Sequence, residues 1–312
     1  MSVLDGGARV LLKRNKATSL SDDARYGRTA LSPHCPIIEV ESSMTTYLVG
    51  WDRSPSAEKA LLFAVEMARR TGGRLILWYA VDIPKTYRLL TSYGGAVDPS
   101  LHQEMHRWLD EVRTHAESVL RTRAHAIEAP NLSVAVEVWT GDLYEGLMDA
   151  VQRYDADWIV LGRGQDPHRL GSFALKVLRS TLRPVAVVPE TYEPVDLRVI
   201  VVPVDWTVRR SAALPLALDL AERYAAEVHL VHVIETYVPD VPAVMEAAVE
   251  QMVRDSLDEW YRQQAVPPGR TVQKAFRRAA DAGTGILQYA TEVRADLIVM
   301  DSHARGPLLH LM

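Results

Sequence analysis

One short pattern occurs twice in this chain: an apolar run ends at an aspartate and continues through a polar turn into an alanine-rich helix. The first copy reads Val49-Gly50-Trp51-Asp52-Arg53-Ser54-Pro55, and the second, 153 positions later, reads Val202-Pro203-Val204-Asp205-Trp206-Thr207. A short apolar run bounded by turn residues predicts a buried strand, and the spacing of the apolar residues that follow predicts a helix. The repeat therefore indicates two tandem copies of one α/β domain.

Apolar runs and helical patterns alternate through both copies. The predicted strands are 47–51, 75–81, 134–139, 158–161 and 185–188 in the first copy, and 199–204, 228–234 and 297–300 in the second. Strands that are apolar throughout and are joined by helices predict an open parallel sheet, of up to five strands, with helices on both faces. We expect an extension over residues 1–44, a first domain over 45–190, a linker over 191–197 and a second domain over 198–312.

The second domain lacks part of the sequence that is present in the first domain. After the strand at 297–300 the chain runs only to Met312, and nothing corresponds to Gly171-Ser172, to the helix that follows them or to the strand at 185–188. The strand at 297–300 would then form an apolar sheet edge, and such edges pair with other chains. We expect this edge to be covered by the first domain, by a second copy of the protein or another partner, or by a C-terminal piece that is missing here.

The extension differs in composition from the rest of the chain. Residues 1–44 are mixed in charge and rich in Ser, Gly, Arg and Asp, without sustained hydrophobic periodicity. Such a segment cannot bury much apolar surface, so we expect most of it to be disordered. Since Met44 directly precedes the first strand, one hypothesis is that translation starts at Met44.

Composition excludes several classes of function. A net charge of -5 and a pI near 6.1 do not favour a general nucleic-acid surface. No apolar run approaches the ~20 residues of a membrane helix, so we expect no membrane partner. The single cysteine, Cys35, cannot form an internal disulfide, which fits a reducing cytoplasm.

Two groups of residues are candidates for ligand binding. Asp52 and Asp205 follow the first strand of each domain, at the sheet edge where open α/β sheets bind ligands. Each carboxylate could accept hydrogen bonds from an adenine amine or a ribose hydroxyl, or could instead cap the following turn. The second group is the loop Gly162-Arg163-Gly164-Gln165-Asp166-Pro167-His168-Arg169-Leu170-Gly171-Ser172. Its backbone amides, with charge from Arg163 and Arg169, could hold phosphate; alternatively it is a flexible connection from strand to helix.

These motifs, in order and in two copies, resemble the universal stress protein family over about residues 45–312. The resemblance implies a five-stranded parallel sheet of the adenine nucleotide alpha-hydrolase-like fold, with ATP bound in many members. It places Asp52 and Ala80 at the adenosine, and Gly162, Gly164, Gly171 and Ser172 at the phosphates. In the second domain it leaves Asp205 and Val233 to hold an adenosine. No metal-binding motif is apparent, although a nucleotide could bring Mg²⁺.

The chain departs from the family pattern in both loops. The family loop has Gly, two residues, Gly, nine residues, Gly and then Ser or Thr, whereas here one and six residues separate the glycines, and Pro167 stiffens the loop. A loop four residues shorter cannot wrap a triphosphate in the family manner. In the second domain Asp301 replaces the first loop glycine and puts a negative charge where phosphate would lie. We therefore expect that the second domain alone does not bind a triphosphate.

The leading hypothesis is a stress-response protein that binds ATP, ADP or AMP, mainly in the first domain, and acts as a sensor or regulator. Hydrolysis would at most be slow, because no general base beyond Asp52 is evident. The alternative is an interaction protein of the same fold that pairs with itself or a partner and binds no nucleotide. An adenylating or ATP-pyrophosphatase enzyme on a related sheet would need a Ser-Gly-Gly type loop after the first strand, which Arg53-Ser54-Pro55-Ser56 does not resemble.

Overall fold

The computed structural model describes residues 10–14, 44–82, 99–164, 170–194, 196–206, 211–235, 243–264, 266 and 272–301. The strands are β1 (Val10–Arg14), β2 (Thr46–Gly50), β3 (Arg74–Asp82), β4 (Ser133–Gly141), β5 (Trp158–Gly162), β6 (Val185–Val188), β7 (Val199–Pro203), β8 (Glu227–Glu235), β9 (Val272–Ala279) and β10 (Leu297–Asp301). The helices are α1 (Pro55–Thr71), α2 (Pro99–Ile127), α3 (Leu143–Arg153), α4 (Ser172–Ser180), α5 (Ala213–Tyr224), α6 (Ala243–Arg262) and α7 (Ala282–Glu292).

The strands form one ten-stranded sheet with the order β4-β3-β2-β5-β6-β1-β10-β7-β8-β9. Domain 1 contributes the five parallel strands β4-β3-β2-β5-β6. Domain 2 contributes the four parallel strands β10-β7-β8-β9. The predicted tandem α/β architecture is therefore confirmed. Strand β9 was not predicted, because its charged residues (Lys274, Arg277 and Arg278) interrupt the apolar pattern.

The sheet is buried on both faces. One face packs against α1, α2, α5 and α6, in a core that runs without interruption from domain 1 into domain 2. The other face packs against α3, α4 and α7. This two-sided burial explains why the central strands are apolar at every position.

Helix α1 begins and ends where its sequence predicts. The Ser54 hydroxyl accepts a hydrogen bond from the amide of Ala57 at 3.2 Å, and Pro55 occupies the first turn, where its missing N–H costs nothing. Gly72 ends the helix in the left-handed conformation with φ 65°. Ser54 and Pro55 fix the start of α1 shortly after strand β2, and they thereby position the turn that contains Asp52.

Strand β1 comes from the segment in which we expect disorder, and that expectation does not hold for its five residues. β1 pairs in parallel with β10, from Val10 opposite Leu297 to Arg14 opposite Asp301, and antiparallel with β6. The edge of β10 is thus covered from within the chain, by a segment that was not among the partners we expected. Of the remainder of residues 1–44, only Met44 is among the described residues.

The linker between the domains packs against α1. The ring of Tyr192 meets that of Phe63 edge-on, with centroids 5.7 Å apart, and Lys59 bonds Glu193 at 2.6 Å. Tyr224 of α5 donates a hydrogen bond to the Met67 sulfur at 3.2 Å.

Among the described residues, none of the helices combines the length and apolar composition that a bilayer crossing requires.

Candidate functional site

A cavity of about 280 Å³ lies at the carboxyl ends of strands β2, β3 and β5 in domain 1. This is the position at which open parallel sheets bind ligands. The structure brings six of the seven residues predicted for domain 1 to the wall of this cavity: Asp52, Ala80, Gly162, Arg163, Gly164 and Gly171. The seventh, Ser172, is the exposed first residue of α4 and directly follows Gly171.

Asp52 lies on the exposed turn between β2 and α1. One carboxylate oxygen accepts a hydrogen bond from the amide of Ser54 at 2.9 Å, as expected for an aspartate that caps a turn. The other oxygen has no partner among the residues that the structure describes. The neighbouring residue, Arg53, has φ 67°, a left-handed backbone conformation that residues other than glycine rarely adopt. Asp52 can therefore hold the turn with one oxygen and accept a ligand hydrogen bond with the other.

Gly162 sits where strand β5 meets the first turn of helix α1. A Cβ atom at this position would lie 2.7 Å from the carbonyl carbon and hydroxyl of Ser56 and 2.8 Å from the amide nitrogen of Ala57. Since two of these atoms are backbone, a side chain could be accommodated only if the helix moved. Glycine is therefore required for packing at this position, whatever its part in ligand binding.

The glycine loop is closed at its neck by backbone hydrogen bonds. The amide of Arg163 donates to the carbonyl of Val188 at 2.8 Å, and the amide of Gly171 donates to the carbonyl of Arg163 at 3.1 Å. Gly164 has φ 99°, and a Cβ on it would lie 3.6 Å from the Cα of Gly171. Residues 165–169, which include Pro167 and Arg169, lie outside the described residues. The short loop therefore still brings Gly164 and Gly171 close together.

Helix α4 begins at the same cavity. Its N-cap residue is Gly171, which supplies no side chain to accept a hydrogen bond from the first amides of the helix. Unpaired amides and the positive end of the helix dipole favour an anion at such a terminus. This end of the cavity is accordingly suited to a phosphate.

The remaining wall is largely apolar and was not predicted. It includes Trp78, Leu161, Phe173 and Ala174. Period-two alternation along β3 puts Trp78 on the same face as Ala80, which is the one signal in the sequence that could have identified it. An apolar wall opposite a few polar groups is typical of sites for small aromatic ligands.

Domain 2 has a different arrangement at the matching position. The carboxylate of Asp301 accepts hydrogen bonds from the Ser211 hydroxyl at 2.7 Å and from the amides of Ala212 and Ala213 at 2.8 and 3.0 Å. A side chain fits at position 301 because helix α5 starts late. The position that corresponds to the start of α1 is 208, whereas α5 starts at Ala213. The negative charge of Asp301 is thus held at the start of α5, where it competes with any incoming anion.

Asp205 and Val233 are the two residues predicted to hold adenosine in domain 2. Asp205 is exposed, and Val233 packs so closely on α7 that a Cβ on Gly285 would lie 2.6 Å from its Cγ1. Near Asp205, the ring of Trp206 stacks on that of His232 with centroids 3.5 Å apart. Burial lowers the pKa of His232, whose Nδ1 is 2.9 Å from the carbonyl oxygen of Val204. His232 is therefore a half-buried histidine that packs against Trp206.

Comparison with known proteins gives consistent matches in both halves of the chain. The model of the Universal stress protein family matches residues 44–189 and 197–312. Universal stress protein A from Salmonella typhimurium and that from Escherichia coli are each 32% identical to this chain over 119 residues, which are 38% of this chain and 75% of the relative.

Solved structures share the fold. A universal stress protein from Archaeoglobus fulgidus superposes with a TM-score of 0.56 at 20% identity, over 82% of this chain and 86% of its own. The Pseudomonas aeruginosa protein PA1789, described as functionally unknown, superposes with a TM-score of 0.54 at 17% identity, over 86% of each chain. Both identities are low, so the likeness concerns the architecture alone.

Proposed function

The chain belongs to the universal stress protein family, and from this premise we propose that domain 1 binds an adenine nucleotide and acts as a sensor or regulator. The proposed ligand is AMP or ADP in preference to ATP. The preference is supported by the shortened glycine loop and by the cavity volume of about 280 Å³, which is slightly below the roughly 300–1,000 Å³ of ligand pockets.

One observation carries this proposal: a single cavity combines groups suited to each part of a nucleotide. Asp52 offers a carboxylate oxygen at one side, where a ribose hydroxyl or an adenine amine could donate to it. Trp78 and Phe173 provide an apolar wall for a base. The start of α4, where the N-cap Gly171 has no side chain to accept a hydrogen bond, offers the backbone amides of its first turn for phosphate.

A regulatory role is favoured over rapid catalysis. Hydrolysis would require a general base that orients water, and Asp52 is the only carboxylate among the described cavity residues. Any Mg²⁺ would enter with the nucleotide, held mainly by its phosphates. The proposal includes a cytoplasmic location, which the single cysteine, Cys35, supports.

The proposal is tested by calorimetric titration with AMP, ADP and ATP. We expect saturable binding of AMP and ADP, and weaker binding of ATP. Asp52→Ala should weaken all three by about tenfold, because one hydrogen bond to a charged group is lost. Gly171→Ala places a methyl group at the loop neck, with no backbone atom closer than 3.6 Å, and should reduce affinity without loss of folding.

The matched control is Asp205→Ala, which removes the corresponding aspartate in domain 2. Its effect on AMP affinity should be within twofold, because the proposed site lies in domain 1. Absence of binding for all three nucleotides would rule out the proposal, and equal losses for Asp52→Ala and Asp205→Ala would contradict its placement in domain 1.

A further inference from the structure

Strand β1 is the one strand of the described residues that joins the two domain sheets. It lies between β6 of domain 1 and β10 of domain 2, and the described strands contain no direct pairing between β6 and β10. We propose that the gap between β6 and β10 is a strand-binding site, that its ligand is the segment Val10–Arg14, and that binding of this segment holds the two domains in one sheet.

The site has the geometry of a missing strand. In domain 1, Ile159 of β5 lies opposite Val185 of β6, and in domain 2 the corresponding Ile298 of β10 lies opposite Leu11 of β1. Both pairings are parallel. β1 therefore occupies, in position, direction and register, the place that the fifth strand occupies in domain 1.

Backbone hydrogen bonding determines what this site accepts. A strand in the gap must run parallel to β10 and antiparallel to β6, and its backbone groups must alternate between the two neighbours. The neighbouring strands are buried from Val185 to Val188 and from Leu297 to Met300. The site thus requires an extended segment without proline, as in peptide recognition by strand addition.

The segment behaves as a tethered ligand because its contacts are remote in sequence. Its partners are at positions 185–187 and 297–301, while the chain between β1 and Thr46 consists of the 31 residues 15–45. A tether of that length keeps a weakly binding segment at an effective concentration of order millimolar. The five residues of β1 can therefore stay bound between β6 and β10, although an untethered peptide of this sequence would bind weakly.

The experiment separates the ligand from its site within a complete protein. A protease recognition sequence inserted after Ser21 allows the purified full chain to be cut while both pieces remain present. A fluorescent peptide with the sequence of residues 8–16 is then added, and its anisotropy is followed. We expect saturable binding with one peptide per protein, and a peptide with Leu12→Pro should bind at least about tenfold more weakly, because one ladder hydrogen bond is lost.

A second variant tests the site in the uncut chain. Leu12→Pro should increase amide hydrogen exchange in β6 and β10, because their facing edges lose the strand between them, whereas Leu12→Val should leave exchange there unchanged. The proposal is overturned if Leu12→Pro leaves hydrogen exchange in β6 and β10 unchanged, or if the native and proline peptides bind equally. AMP titration of the same variants reports separately on the cavity of domain 1, whose lining residues lie between positions 50 and 174.

Discussion

Two residues 153 positions apart, Gly72 and Ala225, have the same backbone conformation but different side chains. Gly72 ends α1 with φ 65° and ψ 29°, and Ala225 ends α5 with φ 53° and ψ 38°. Left-handed backbone disfavours any residue with a Cβ, at a cost of about 1–2 kcal/mol. Domain 2 therefore carries strain at a position where domain 1 has none.

Exchange of these two residues gives opposite changes in stability. Ala225→Gly should raise the free energy of unfolding by about 0.5–1 kcal/mol, and Gly72→Ala should lower it by about 1 kcal/mol. No atom lies within 4 Å of a Cβ built on Gly72, so the loss would come from backbone conformation and not from a clash. Denaturant unfolding of both variants measures these differences, and changes of equal sign would contradict the argument.

At the residue scale, a sequence can be interpreted where a residue type has a local meaning. Ser54, Pro55 and Gly72 begin and end α1 as their sequence indicates, because caps depend on neighbours within a few positions. The part that Trp78 plays in the cavity wall could not be predicted, since it depends on which helices cover the sheet. Asp301 was expected to oppose phosphate. Its hydrogen bonds to the start of α5 could not be foreseen, because they depend on where that helix begins.

Among the elements, helix α5 shows how the two domains have diverged. It starts five positions later than its counterpart α1, and the carboxylate of Asp301 takes up hydrogen bonds at its first turn. Ser211 continues this cap, because its hydroxyl donates to Asp301 and accepts from the amide of Leu214 at 3.0 Å. Asp301 thus connects the end of β10 to the start of α5.

Asp301→Ala should destabilise the protein by about 1–3 kcal/mol, because it removes three hydrogen bonds to a charged group and a helix cap. Asp301→Asn keeps one acceptor oxygen and should lose less than half as much. Thermal unfolding monitored by circular dichroism compares the two. Equal losses would indicate that the charge itself, and not the acceptor geometry, stabilises α5.

At the level of elements, the central strands were predicted and two others were not. β9 was missed because its charges break the apolar pattern, and β1 was missed because only Val10, Leu11 and Leu12 are apolar in it. Three apolar residues do not distinguish a strand from a coil. The partner that makes β1 a strand, β10, is nearly the full length of the chain away.

For the molecule as a whole, the two domains share a buried group of tyrosines. Burial raises the pKa of Tyr47 to about 12 and that of Tyr192 to about 12, and it also raises the pKa of Tyr224. Tyr224 of α5 lies under the guanidinium of Arg70 of α1, 4.4 Å from the ring centroid. The three phenols therefore lie where α1, the linker and α5 meet.

These pKa values predict a loss of stability at high pH. An unfolded tyrosine ionises near pH 10, whereas the folded protein keeps these phenols protonated up to about pH 12. Stability should be complete below about pH 10 and should fall as the pH rises to about 12, by up to about 1.4 kcal/mol per pH unit for each such tyrosine.

Tyr192→Phe removes one of these groups and should make the decline with pH shallower. Denaturant unfolding at several pH values between about 9 and 12 gives both slopes. Because lysine and arginine ionisation affects the variant and the parent protein alike, the difference between the slopes isolates Tyr192. An unchanged slope would show that its phenol ionises equally well in the folded protein.

The position of β1 also has a consequence for biosynthesis. The ribosome makes Val10 long before it makes the partner residue Leu297. At about 5–20 residues per second, β1 must wait roughly 15–60 s before β10 emerges. In the last part of that interval β6 is already complete, and its open edge can hold β1 in an antiparallel pair until β10 is made. Domain 1 would then present the nascent second domain with a strand already in place.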